Sequence, residues 1–223
     1  RSEFRFGFEV LASRVITAYA TGLDKLLISL TFPMDVVGAY SRAFELTRLP
    51  NRTIGVGLSS PILAFFSSMT LDKAKQLYSS SLEILLHAST LPLVILVLWS
   101  EEIIPLVLGQ KWTVVIPFVG PLSIWGFGKI LHGFLLLIFT NEKEMKSFLK
   151  ITFVGFSFPL LVLLVSVSVK TDLFDSIYVY SICYALTWLV IFFISVKKIK
   201  FEINYWRLCL PIPVFVIAGL VII

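Results

Sequence analysis

Apolar residues along this chain come in long windows separated by short polar punctuation. Windows of about 20 apolar residues cross about 30 Å of hydrocarbon as helices, and the pattern predicts about seven of them. They are Phe8–Leu30, Val36–Phe66 (long, and interrupted by Pro50 and Pro61), Leu77–Trp99, Val114–Phe139, Phe148–Val169, Ile177–Val196 and Trp206–Ile223. Runs of about ten alternating residues, the mark of a transmembrane barrel, are absent. The predicted fold class is an all-α integral membrane protein.

The connections are Thr31–Asp35, Ser67–Gln76, Ser100–Thr113, Asn141–Ser147, Lys170–Ser176 and Lys197–Tyr205. Alternate connections differ in charge. One set, with the N-terminus, holds Arg1, Arg5, Lys73, Lys75, Lys143, Lys146, Lys150, Lys197, Lys198, Lys200 and Arg207, and the other holds only Lys111 and Lys170. Basic loops stay in the cytoplasm, which puts loops 67–76, 141–147 and 197–205 there. Ser100–Thr113 mixes Glu101, Glu102, Gln110 and Lys111 with five aliphatic residues, a pattern for a short amphipathic helix lying on the outer surface. Trp99 and Trp112 would then sit at headgroup level.

Composition agrees with this reading. Apolar residues make up 57% of the 223 positions and charged ones 15%, against about a quarter charged in soluble domains; mean hydropathy is +0.93. The net charge of +5 is accounted for by topology, so nucleic acid is not an expected partner. Cys183 and Cys209 lie in apolar runs with no metal spacing. No cofactor motif, Gly-rich phosphate loop, GxSxG or HExxH occurs, so neither a metal nor a cofactor is expected. A start without Met and an end inside an apolar run lead to the expectation of a piece of a longer protein.

Ionisable residues inside spans are costly and are functional candidates by default. Here they are concentrated early. The first span carries Arg14, Asp24 and Lys25, and the second Arg42, Glu45, Arg48 and Arg52. The third and fourth carry Glu83, His87, Lys129 and His132, and the last three essentially none. At 100° per residue the second-span charges fall within an arc of roughly 120°. Arg14, Thr17, Thr21 and Lys25 share a face, with Asp24 at its edge. The expectation is a basic surface at membrane depth in which Glu45 and Asp24 each neutralise one cation. The remaining excess needs an anion, and arginine forks suit phosphate oxygens. Arg42 and Arg48 are the leading anion-binding candidates, with Arg52, Arg14 and Lys25 beside them. Asp24 and Glu45 are candidates for coupling or charge compensation, and Lys129 and His132 for a cavity. Glu83–His87, an i, i+4 pair, reads as structural.

Particular residues carry a resemblance. Phe6-Gly7, Gly22-Leu23-Asp24, Gly38-Ala39-Tyr40-Ser41-Arg42-Ala43, Leu49-Pro50, Pro61 and Asp72 are similar to the central region of the polysaccharide transporter family. This family holds Wzx-like O-antigen flippases, within the multidrug/oligosaccharidyl-lipid/polysaccharide exporter superfamily. Leu91-Pro92, Ile103–Trp112 and Pro117 resemble it too, with Gly109-Gln110-Lys111-Trp112 the most specific piece. Members often carry Asn where this chain has Gly22, and Ser where it has Ala64. The resemblance covers Phe6–Asn141. It implies two six-helix lobes, this chain being the second lobe with part of the extra C-terminal helices: 1–140 its cavity-lining first four helices, and 141–223 peripheral helices and the start of the C-terminal extra helices. It implies a flippase of the bacterial inner membrane that moves undecaprenyl-pyrophosphate-linked oligosaccharide by alternating access, not an enzyme. The partners it implies are that lipid-linked oligosaccharide, membrane lipid, the N-terminal lobe and other polysaccharide-assembly proteins. The alternatives are a multidrug exporter of the same superfamily, which would favour an acidic cavity for organic cations, and a membrane polymerase or glycosyltransferase, which would need a larger outer loop.

Overall fold

The structure, a computed structural model, describes residues 2–57, 71–142, 144–169 and 171–199. Among them there is no strand. The predicted seventh span, Trp206–Ile223, with Arg207 and Cys209, lies outside the described residues, as do Pro61, Ala64 and Lys143.

Helix α1 runs over Ser2–Thr31, 30 residues, or about 45 Å at 1.5 Å per residue. Pro33 ends it, because proline pushes the preceding residue out of the helical region. Pro33 has an extended backbone and precedes α2, Met34–Pro50. At Pro50 a missing N–H and the ring clash disturb the helical ladder, and the chain continues as a π-helical segment, Asn51–Val56. Thr53 Oγ1 donates 2.8 Å to the Leu49 carbonyl, so a hydroxyl takes up a backbone acceptor at the break.

Helix α3 spans Leu71–Leu98. Leu71–Gln76, expected in a connection, extends this helix instead, as Leu, Lys, Ala and Gln are all good helix formers. A break at Trp99 leads into α4, Ser100–Leu108, which is bent 93° from the preceding helix. A right-angle bend lays α4 along the membrane plane when α3 crosses it, as the amphipathic pattern predicts. Gly109 closes α4 with φ +93°, a backbone that strains any residue with a Cβ. A 3-10 segment, Gln110–Val115, then feeds α5, Ile116–Asn141. Helices α6, Met145–Ser168, and α7, Leu173–Ile199, complete the described chain. Asn141 and Met145–Ser147, also expected in a connection, are helical.

Gln110–Thr140, Met145–Ser168 and Leu173–Lys197 are long and apolar enough to cross a membrane, and the bent pair Glu83–Leu98 with Ser100–Leu108 qualifies taken together. Helices α1 and α2 fall outside this group. The first carries Glu3, Arg5, Glu9, Arg14, Asp24 and Lys25, and the second is 17 residues long with Asp35, Arg42, Glu45 and Arg48. Their charge has a structural purpose, described below.

Helix α5 is the centre of the bundle. Its apolar stretch is 83% buried, against 33% for α6 and 39% for α7. It packs most extensively on α7, and also on α2 and α3. Small residues permit the close approach that drives helix association in lipid. A Cβ on Gly128 of α5 would lie 2.8 Å from the Tyr184 ring, and one on Gly155 of α6 would lie 2.7 Å from Trp188 Cζ2. Two aromatic residues of α7, one turn apart, thus key into notches on its two neighbours. Trp125 stacks on Tyr184 at 5.5 Å and meets Phe44 of α2 at 4.5 Å. The opposite faces of α6 and α7, including Phe153, Leu161, Val165, Ile182, Leu186 and Ile194, are exposed and suit lipid.

Candidate functional site

Helices α1, α2 and α5 line a half-open cavity of about 330 Å³, at the lower end of the range for ligand sites. Ser13, Arg14, Thr17 and Ala18 line it from α1; Arg48, Asn51 and Arg52 from α2 and the π segment; and Lys129, His132 and Leu136 from α5. Among the described residues the lining holds four cations and a histidine, and no acid.

Local structure explains who reaches it. Pro50 sits between Arg48 and Asn51, and the wider π turn carries Asn51 and Arg52 onto the wall that Arg48 begins. Asn51 is buried, and its Oδ1 lies against Gly133 of α5. Lys129 and His132, one turn apart, present a second wall. Lys129 is 8% exposed and His132 3%. Neither Lys129 Nζ nor His132 Nε2 has a hydrogen-bond partner among the described residues. Lys129 Nζ stands 5.0 Å from the centre of the Phe156 ring. His132 is wedged edge-on against Trp188 at 4.5 Å and Phe156 at 5.3 Å, which fixes the ring without using Nε2. Buried polar groups in native folds are normally paired, so two unpaired nitrogens beside three arginines make a site suited to an anion.

The other candidates group differently. Lys25 Nζ lies 3.3 Å from Glu45 Oε1 and 4.3 Å above the Phe44 ring. Glu45 Oε1 also stands 3.9 Å from Arg48 Nη1, so Glu45 bridges the two helices beside the cavity. Arg42 is away from that cavity. Its guanidinium stacks over Trp112 at 5.1 Å, next to the 3-10 segment. Asp24 is fully buried, and no arginine among the described residues forms an ion pair with it. The Tyr40 hydroxyl donates 2.8 Å to its Oδ2, and the Lys25 backbone N–H donates 2.8 Å to its Oδ1. Asp24 therefore clamps α1 to α2, and its charge also acts on Lys25 and on the cavity residue Lys129. His87 Nδ1 donates 2.7 Å to the backbone carbonyl of Glu83. Among the described residues, no three of His, Cys, Asp and Glu gather as metal ligands.

Sequence reasoning brought Arg14, Arg48, Arg52, Lys129 and His132 forward, and the fold places these five on one cavity. It missed Asn51, for which the Pro50 break was the available signal. It also missed Tyr40 as the partner of Asp24, for which the sequence carries no spacing signal.

A helical membrane protein with a cationic cavity among its helices is the class that this fold defines. Residues 1–117 match the family of polysaccharide biosynthesis proteins, and the chain belongs to that family. It is 24% identical over 139 residues to the teichuronic acid biosynthesis protein TuaB of Bacillus subtilis (strain 168), which is 60% of this chain and 29% of that protein. The chain thus spans less than a third of this relative's length. No solved structure matches it. The resemblance to the polysaccharide transporter family rests on these matches as well as on the motifs. Arg14, Arg48 and Arg52 lie inside the family stretch, and Lys129 and His132 beyond it.

Proposed function

We propose that this chain is the cavity-bearing lobe of a transporter that carries a lipid-linked oligosaccharide across the bacterial inner membrane by its diphosphate. The supporting observation is the acid-free lining of Arg14, Arg48, Arg52, Lys129 and His132, with two buried nitrogens unpaired. A diphosphate offers oxygens to several donors at once, and arginine forks bind it bidentately. The family context of polysaccharide biosynthesis supports a saccharide on the far side of that phosphate. A cavity for organic cations would carry carboxylates instead, and the cationic lining favours transport of an anion over a multidrug role.

In this reading the lobe works against a second, N-terminal lobe, and the cavity opens alternately to each side. The basic helix ends that carry Lys73 and Lys146 face the cytoplasm, and α4 lies on the outer surface. The direct test is translocation of labelled lipid-linked sugar in cells lacking their own flippase. The full-length protein should restore export, and Arg48→Ala with Arg52→Ala should abolish it at normal expression. Wild-type export by that double variant rules out the cavity as the route.

A further inference from the structure

The cations of α1 and α2 stand at successive levels. At 1.5 Å per residue, Arg42 is about 9 Å from Arg48 along α2, with Glu45 midway. Glu45 meets two members of this series, Lys25 on one side and Arg48 on the other. The two contacts are unequal, at 3.3 Å to Lys25 and 3.9 Å to Arg48. All three side chains are partly open, at 29%, 44% and 49% exposure for Lys25, Arg48 and Glu45. Pairs of this kind are weak and exchange readily. A phosphate that fits both prongs of a guanidinium competes well against one carboxylate oxygen at the limit of contact.

We propose that Glu45 is a displaceable counter-ion that occupies Arg48 between substrates, yields it to the phosphate held in the cavity, and speeds release by reclaiming it. This rests on the anion-cavity reading above. Lys25 anchors Glu45 through the shorter contact, so the carboxylate stays within reach of Arg48 after displacement. The stacking of Lys25 on Phe44 holds that anchor in place. Arg42, stacked on Trp112, is the next cation toward the α4 side. Glu45 thus sets how long the cavity retains an anion, acting through Arg48 and not by touching substrate.

The test uses the full-length protein in detergent micelles, with inorganic pyrophosphate as a soluble probe, alongside translocation of labelled lipid-linked sugar. Arg48→Ala measures the cavity reading and should weaken probe binding by about tenfold or more, as for loss of one charge-assisted contact. Glu45→Gln should tighten probe binding by about two- to fivefold, the range that an exposed ion pair spans. It should also lower both the half-saturating substrate concentration and the maximal translocation rate. A Glu45 that merely holds Arg48 in place predicts the reverse, namely weaker binding with Glu45→Gln. If Arg48→Ala weakens binding while Glu45→Gln leaves it unchanged or weaker, the counter-ion proposal is wrong and the cavity reading stands. If Arg48→Ala leaves binding unchanged, the cavity reading itself fails. Should Glu45→Gln fold poorly, Glu45→Asp keeps the charge but draws it back from Arg48. A small tightening is then expected, and weakening overturns the proposal.

Discussion

Replacing Lys129 by Met should stabilise the protein and stop it binding anions. The side chain is 8% exposed and its Nζ has no hydrogen-bond partner among the described residues. Taking an ammonium out of water costs several kcal/mol even after relaxation. The Phe156 ring at 5.0 Å returns about 1–2 kcal/mol as a cation–π contact. A deficit of about 1–3 kcal/mol remains, of the size expected for an unsatisfied buried polar group. Methionine fills nearly the same volume without the charge, so Lys129→Met should recover about that amount, or about 2–4 °C in Tm for each kcal/mol. The lost ammonium should remove most of the affinity for phosphate. Thermal unfolding in detergent, with and without inorganic pyrophosphate, reads both effects, because a ligand bound only to the folded state raises Tm. Wild type should gain stability from pyrophosphate, and Lys129→Met should start higher and gain nothing. A Lys129→Met protein that is less stable than wild type, or that still responds to pyrophosphate, would refute the reasoning.

Three further outcomes are expected. Impermeant cysteine labelling in intact cells should reach positions 35, 111 and 172 but not 143 or 146; labelling at 146 with none at 172 inverts the orientation drawn from the basic loops. Gly155→Val should cost about 1–3 kcal/mol by overpacking, because a Cβ there meets Trp188 at 2.7 Å; detergent melting that stays at wild type would show that α6 and α7 do not seat there. Leu161→Asn, on an exposed face of α6, should lower membrane insertion or stability without changing which sugar is exported, and a changed sugar preference at normal expression would place α6 in the substrate path.

The sequence made the helices legible because their signal, long apolar windows, depends only on local composition. The short helix α4 was legible for the same reason, through its amphipathic pattern. The grouping of charges was only half legible. A helical wheel puts Arg14 and Lys25 on one face, but they are eleven positions apart, about 16 Å along the axis. Depth then decides, and Arg14 joins the cavity while Lys25 joins Glu45. Arg42 and Arg48 share a face in the same way, yet Trp112, distant in sequence, captures Arg42. The pairing of Asp24 with Tyr40 depends on how α1 and α2 meet, which no periodicity encodes. Lys129 and His132 were visible as charges in a span, but their lack of partners is a property of packing.

The placement of Pro50 joins these observations. Three cavity residues, Arg48, Asn51 and Arg52, flank it, while the Asp24–Tyr40 clamp ties the preceding part of α2 to α1. The α5 wall, by contrast, is backed by Trp188 and Tyr184 keyed against glycines, so Lys129 and His132 are held on a rigid surface. The cavity therefore has one stiff wall and one whose backbone ladder is already broken at its middle. Bending at such a break costs less than bending a continuous helix, because the disturbed hydrogen bonds need not be broken again. A change in the angle between α2 and the π segment alters the spacing of Arg48 and Arg52 relative to the fixed nitrogens of α5. An anion gripped by both walls would feel that change directly. The wall that carries the exchangeable Glu45 contact is thus also the wall that can move, and binding and opening can be coupled through one short stretch of chain.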